Sequence, residues 1–156
     1  MRMTIATAVA VTLSCFVTAC DSPRKCTLMA CSDTLSIDFE PAFSEPGGYE
    51  VEVSWEGGTI TCFAAIPFEP GSESCESSDA EKRVDGGLVI GRATGGPIRG
   101  VWVSRAPASL EVSVRREGVV VASSRLEPSY DRHHPNGEAC DGDYFCQVAQ
   151  TKLALD

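Results

Sequence analysis

The chain has 156 residues and carries 13 Lys and Arg against 22 Asp and Glu, a formal net charge of −9. That length bounds it to a single domain of ordinary size, long enough to bury a real core without oligomerisation. An acidic chain with no Lys/Arg cluster excludes nucleic acid as a partner and excludes an electrostatic grip on anionic lipid; the charge serves solubility.

The chain opens with a leader, in which Arg2 supplies the charge and residues 5–17 supply an apolar run. This run is too short to span a bilayer, which needs about 20 apolar residues, so it reads as a secretory signal. Val17, Thr18 and Ala19 then stand directly before Cys20. The stretch Val17-Thr18-Ala19-Cys20 resembles the lipobox of bacterial lipoproteins. The resemblance implies cleavage between Ala19 and Cys20, acylation of the Cys20 thiol, and a membrane anchor on the periplasmic side of a bacterial envelope. It makes residues 1–19 the signal peptide and Cys20 the lipidated residue. Asp21 resembles an inner-membrane retention signal, with the outer membrane as the alternative destination.

Residues 20–32 then form a short tether containing Pro23, Arg24 and Lys25, and residues 33–156 form the folded domain. Leu35, Ile37 and Phe39 alternate with Ser36 and Asp38, as a half-buried strand requires. Tyr49, Val51, Val53 and Trp55 alternate with Glu50, Glu52 and Ser54, which places the glutamates on the wet face. Gly57-Gly58 is expected to turn this strand into the next, residues 59–66, as a hairpin. On that second arm Ile60, Cys62, Ala64 and Ile66 share one face, so Cys62 points into the core. Residues 71–83 are rich in Ser and Glu and read as a solvated loop pinned through Cys75.

Further short strands follow at residues 88–90 and 98–103. Leu110, Val112 and Val114 begin a second hairpin, which turns at Glu117-Gly118 into Val119, Val120 and Val121. Residues 128–143 are turn-rich, and a last strand runs through Val148 or through Leu153 and Leu155. Pro and Gly interrupt most windows long enough for a stable helix. About eight short strands with frequent turns predict an all-β domain: an antiparallel β-sandwich, immunoglobulin-like or transthyretin-like, with a closed barrel as runner-up.

Beyond Cys15 in the leader and Cys20, six cysteines remain: Cys26, Cys31, Cys62, Cys75, Cys140 and Cys146. An even number in an exported chain reads as a disulfide framework. Three close pairs suggest local closure as Cys26–Cys31, Cys62–Cys75 and Cys140–Cys146. In the alternative, Cys26 or Cys31 staples the N-terminal segment to the C-terminal pair. Zinc is disfavoured because the spacings do not repeat a C-x2-C knuckle.

The segment from Tyr130 to Cys146 is densest in functional residue types. Its Pro135-Asn136-Gly137 turn before a close cysteine pair resembles the tail of small envelope lipoproteins with β-rich domains, a likeness that brings no activity with it. His133 and His134 could ligate a transition metal with Asp131 or Asp143, but neighbouring side chains of an extended segment point apart. Asn136, Glu138, Asp141 and Asp143 could offer oxygens to calcium, although the Asp-x-Asp-x-Asp-Gly pattern is absent. The favoured reading is an acidic turn clipped by its cysteines. Gly-x-Ser-x-Gly, Ser-x-x-Lys and His-Glu-x-x-His are all missing, so no catalytic residues, metal or cofactor are assigned and the chain is not expected to be an enzyme. A degenerate hydrolase would have to use His133 or His134. Trp55 is expected in the core, and Trp102, between Val101 and Val103, on the solvent face as a contact spot. The expected role is a lipid-anchored, non-catalytic interaction or structural module, whose partner is another envelope protein or a glycan. The alternative is a periplasmic protein that binds a small ligand or calcium.

Overall fold

A computed structural model of the chain describes residue 26 and residues 29–78, 85–91 and 96–154. The leader, Cys15, the lipobox with Cys20, and tether residues 21–25 lie outside the described residues, as do residues 79–84, Gly95 and Leu155.

The described residues form ten strands, the longer ones built on alternating apolar and polar side chains: β1 (Thr34–Phe43), β2 (Gly47–Trp55), β3 (Gly58–Ile66), β4 (Ser74–Ser77), β5 (Gly86–Ile90), β6 (Ile98–Val103), β7 (Leu110–Arg116), β8 (Val119–Leu126), β9 (Asp131–His133) and β10 (Cys146–Ala154). Among the described residues a single four-residue helical turn, α1 (Glu138–Asp141), precedes β10. The strands form two five-stranded sheets, β5-β6-β1-β10-β9 and β4-β3-β2-β7-β8. Their apolar faces pack as an all-β sandwich around Leu35, Ile37, Val51, Val53, Ile60, Val101, Val112 and Val114, each buried to 1% exposure or less. Among the described residues, no polar or charged residue is fully buried. The core therefore holds the sheets together by apolar burial and dispersion, at about 25 cal/mol per Å² removed from water.

One ladder is parallel. β1 pairs with β10 from Thr34↔Val148 to Glu40↔Ala154, while β6 flanks β1 on its other side in antiparallel register. Parallel neighbours cannot be joined by a tight turn, and here they are the first and last strands among the described residues. Side chains reinforce the pairing along its outer face. Gln150 Nε2 donates to Asp38 Oδ2 at 2.6 Å, and Lys152 Nζ donates to Glu40 Oε1 at 2.7 Å.

The disulfides follow that pairing rather than sequence proximity. Cys62–Cys75 closes locally as expected, across the directly paired positions of β3 and β4, with Cα atoms 4.0 Å apart. The other two local closures are corrected: Cys26 bonds Cys140 and Cys31 bonds Cys146, across separations of 114 and 115 residues. The parallel ladder puts the entry to β1 beside the entry to β10, so the two cysteine pairs face one another across the chain ends.

Both hairpins form, with turn chemistry distributed differently from the expectation. The first turns at Glu56-Gly57, because Trp55 pairs directly with Gly58 and only Gly57 of the two turn residues has positive φ, at 93°. The primed geometry appears at the second hairpin, where Glu117 and Gly118 take φ values of 50° and 78°. Gly58 is occupied by packing: a Cβ there would lie 2.8 Å from the Trp55 ring. Trp55 is accordingly half-buried against the core. Residues 74–77, read from sequence as part of a loop, form the edge strand β4. Its disulfide holds this polar segment on the ladder despite its lack of large apolar side chains.

Because the two long-range disulfides interleave, with Cys31 inside the Cys26–Cys140 loop and Cys146 outside it, their removal is non-additive. With Cys31–Cys146 intact, Cys26–Cys140 closes a further loop of only about a dozen residues, which corresponds to about 3 kcal/mol in the chain-entropy model. Replacing Cys26 and Cys140 by Ser is expected to cost about that much in urea denaturation. Replacing Cys31 and Cys146 in that background then releases a loop above 100 residues and costs about 5 kcal/mol more.

Candidate functional site

Strand direction gives the sandwich two poles. β1 and β10 start together at the disulfides and run to the far end, where Phe43 meets Tyr49 at the start of β2 with ring centroids 5.5 Å apart. The end of β3 and the Glu117-Gly118 turn also lie there, through the pairs Gly47↔Ile66 and Tyr49↔Arg116. Strands of nine or ten residues separate the stapled pole from this distal pole by roughly 30 Å.

Every residue singled out from sequence for metal or base chemistry falls at the stapled pole, where much of its polar capacity is spent internally. Asn136 Oδ1 accepts from the Met29 N–H, and its Nδ2 donates to the Met29 carbonyl, both at 3.0 Å. Tyr144 repeats the device two residues on: its hydroxyl contacts the Cys31 N–H and the Cys31 carbonyl, both at 3.1 Å. The Gln147 N–H donates to Asp33 Oδ1 at 2.8 Å. Two side chains thus stand in for a partner strand along the incoming chain, and Asp33 on that chain does the same for the start of β10. Asp141 supports the arrangement by accepting from the Asn136 backbone N–H at 2.9 Å and from Nδ2 at 2.7 Å. Desolvation pushes the Asp141 carboxyl upward, but these hydrogen bonds and the nearby imidazoles of His134 and His133 outweigh it and hold the pKa below its ordinary value.

This use of oxygens weakens the calcium reading, since the Asn136 carbonyl oxygen and both Asp141 oxygens already accept hydrogen bonds. Glu138 and Asp143 are exposed on and beside α1. Among the described residues, no group of three or more His, Cys, Asp or Glu side chains is placed to hold a metal ion. His133 is exposed on β9, opposite Cys146, and Asp131 is exposed opposite Val148. His134 is half-buried, with its ring 6.0 Å from that of Phe145, and its Nδ1 is buried without a hydrogen-bond partner. Arg132 covers the same Phe145 ring, with Cζ 4.6 Å from the centroid. Nearby, Tyr130 packs against the core and donates to the Pro107 carbonyl at 3.0 Å. Burial first, and the Asp33 charge second, push its pKa up to about 12.

A pocket of about 220 Å³ among Trp55, Glu56, Leu110 and Arg125 opens at the end of β2 nearer the disulfides, and wider space lies at the distal pole. A cleft of about 390 Å³ opens between the end of β1 and the free edge of β8, lined chiefly by Pro41, Phe43, Tyr49, Val121 and Arg116. That volume lies within the range that accepts a small molecule or a large side chain. Its floor is aromatic, because Phe39, Phe43 and Tyr49 stack in series. Its mouth carries one ion pair, Arg116 with Glu45, whose side chains are 33% and 70% exposed. The Tyr49 hydroxyl donates to the Glu45 carbonyl at 2.9 Å, and burial raises its pKa. Around the edge, on the outer face of the same sheet, a shallow dish of about 440 Å³ holds Phe63, the Arg115–Glu50 ion pair at 2.6 Å, and Ser72.

Val121 reaches the cleft because of a β-bulge. Val114 pairs with Ala122 but Arg115 pairs with Val120, so Val121 is the extra residue on β8. The bulge breaks the two-residue alternation and leaves Val119, Val120 and Val121 exposed by 65%, 53% and 41%. Three like apolar residues directly after a turn were the sequence signal for this region, and sequence reasoning absorbed them into a hairpin arm. Trp102 is on the solvent side as expected, 37% exposed, but its indole is laid over Gly87 of the neighbouring strand. It therefore helps to cover sheet backbone, which limits it as a contact spot.

The lowered Asp141 pKa fixes the sign of a pH effect. The stabilisation is present above the ordinary carboxylate pKa and is lost as pH falls through the depressed value in the folded chain. Exchange protection of the Asn136 backbone amide should fall in acid in the wild type, and Asp141→Asn should remove that dependence. Asn136→Ala should cost about 1–3 kcal/mol, read by denaturation, because it leaves the Met29 amide groups without their partner. No protein-family model, curated protein or solved structure matches this chain, so the functional argument rests on the residues and their arrangement.

Proposed function

We propose that the chain is an envelope lipoprotein anchored through Cys20, and that its domain is a non-catalytic interaction module presenting its distal pole to another envelope component. The carrying observation is the opposition of the poles. The segment that continues from Cys20 is fastened at one end by Cys26–Cys140 and Cys31–Cys146, and the cleft and exposed valines lie at the other. The few residues between Cys20 and Cys26 span at most roughly 20 Å when extended. The anchor therefore holds the stapled pole near the bilayer, and the sandwich carries the cleft outward by its own length. Acyl chains each add about 0.8 kcal/mol per buried methylene, and two or more give a stable attachment.

The engagement of Asn136 and Asp141 in hydrogen bonds, and the lack of an orienting partner at His134 Nδ1, support a structural role for the stapled pole over a calcium site or a hydrolase base. The distal cleft also favours one second reading, binding of a small apolar ligand in the same 390 Å³. Such a ligand would raise the melting temperature according to its affinity.

Intact mass of the detergent-extracted protein tests the anchor. The expected species begins at Cys20, carries acyl chains and gains six hydrogens on reduction of its three disulfides. Cys20→Ser should carry no acyl chains and keep its leader uncut; a wild-type species without acyl chains would overturn the proposal.

A further inference from the structure

The four sheet edges among the described residues are treated unequally by the sequence. β9 has three residues and carries Asp131 and Arg132. β4 has four, carries Glu76 and is pinned by Cys62–Cys75. β5 lies against β3 and β4 at the seam between the sheets. Each is short or covered, as edges that avoid pairing usually are. β8 is eight residues long, carries no charge over residues 119–124, and exposes three consecutive valines. Its bulge turns Val121 towards the aromatic cleft, so a free backbone edge and a side-chain pocket lie next to each other.

We infer that β8 is a docking edge for an extended segment of a partner protein, which adds a sixth strand to the β4-β3-β2-β7-β8 sheet and lodges one apolar side chain in the cleft. The inference deepens the interaction-module reading and rests on it. Main-chain groups on the edge supply affinity for any extended chain, and the cleft supplies selection at one position of that chain. The Phe43 and Tyr49 rings favour an aromatic side chain there, in the tilted or edge-on contact that Phe39 and Phe43 already make. Uncharged residues should face the neutral run of β8, and basic residues should flank them, because the chain as a whole is acidic, with a net charge of −9, while Glu45 at the cleft mouth is already paired with Arg116.

A second copy fits this edge poorly. Two β8 strands pairing antiparallel about a two-fold axis would send the two stapled poles in opposite directions, away from a shared bilayer. They would also bring together two chains of net charge −9.

Hydrogen exchange on the full-length protein in detergent tests the inference. The probe is a synthetic eight-residue peptide of alternating Thr and Val with one central Phe and a Lys at each end. Amides of residues 119–124 should exchange at least tenfold more slowly at saturating peptide, and the same peptide with Asp in place of Phe should bind at least tenfold more weakly. Val120→Lys and Val121→Asp, at exposed positions, should keep the melting temperature and lose the protection. Failure of every peptide to protect β8, equal binding of the Asp peptide, or unchanged binding to Val121→Asp would overturn the docking edge. A concentration-dependent dimer abolished by Val120→Lys would overturn it in favour of a second copy. Acylation of Cys20 is read separately by mass, so failure of the edge and failure of the anchor are distinguishable.

Discussion

The parallel contact between the first and last strands is the constraint around which this domain is arranged. No tight turn can make it, so the whole chain must be laid down before β1 and β10 meet. The chain-entropy cost of that closure grows only slowly with loop length, but it is incurred in full by a domain of this size. Two disulfides are placed where they remove it, at the shared entry of the two strands. Asn136, Tyr144 and Asp33 then extend the pairing beyond the strands, by side chains that bond backbone groups as a neighbouring strand would. The covalent and polar links reinforce one another, since each holds the groups of the next within reach.

This concentration of polar bonding divides the molecule. At the stapled pole the side chains with chemical potential hold the chain ends. At the distal pole β1 reaches its end, β8 bulges, and the sheets leave a gap floored by aromatic rings. Glu117 ties the distal pole together: its backbone N–H donates to the Gly48 carbonyl at 2.9 Å, while its carboxylate accepts from the Gly48 N–H at 2.5 Å. The turn can therefore hold a non-glycine residue at positive φ, offsetting a strain of about 1 kcal/mol with hydrogen bonds.

The sandwich was legible because period-two alternation is a local signal with a global meaning. Leu35, Ile37, Val51, Val53, Val112 and Val114 were all readable as inward residues, and all are buried. Cys62 on the inner face and Trp102 on the outer face followed from the same alternation. For Cys26 and Cys31 a staple to the C-terminal cysteines was legible only as the alternative to local closure, because pairing depends on which strand ends meet, and sequence distance says little about that. β4 was missed because its residues have no strand-like apolar pattern and are held by a disulfide. The metal and base candidates were plausible by composition, yet their hydrogen-bond partners, Met29 above all, lie more than 100 residues away in sequence. The distal cleft was hidden for a related reason: Phe43, Tyr49 and Val121 come from three strands, and a bulge that only the ladder reveals aims the last of them.

The paired staples also determine what a protease can accomplish. Cys26–Cys140 and Cys31–Cys146 enclose nearly the whole described chain in one covalent ring. A single backbone cut between Cys31 and Cys140 opens that ring without dividing the molecule, because the two fragments stay joined through sulfur at the stapled pole. Shedding of the domain from its N-terminal segment then requires either a cut ahead of Cys26 or reduction of both bonds. A nick anywhere between Cys31 and Cys140 leaves the protein in one piece, so damage to a loop need not become loss of the domain.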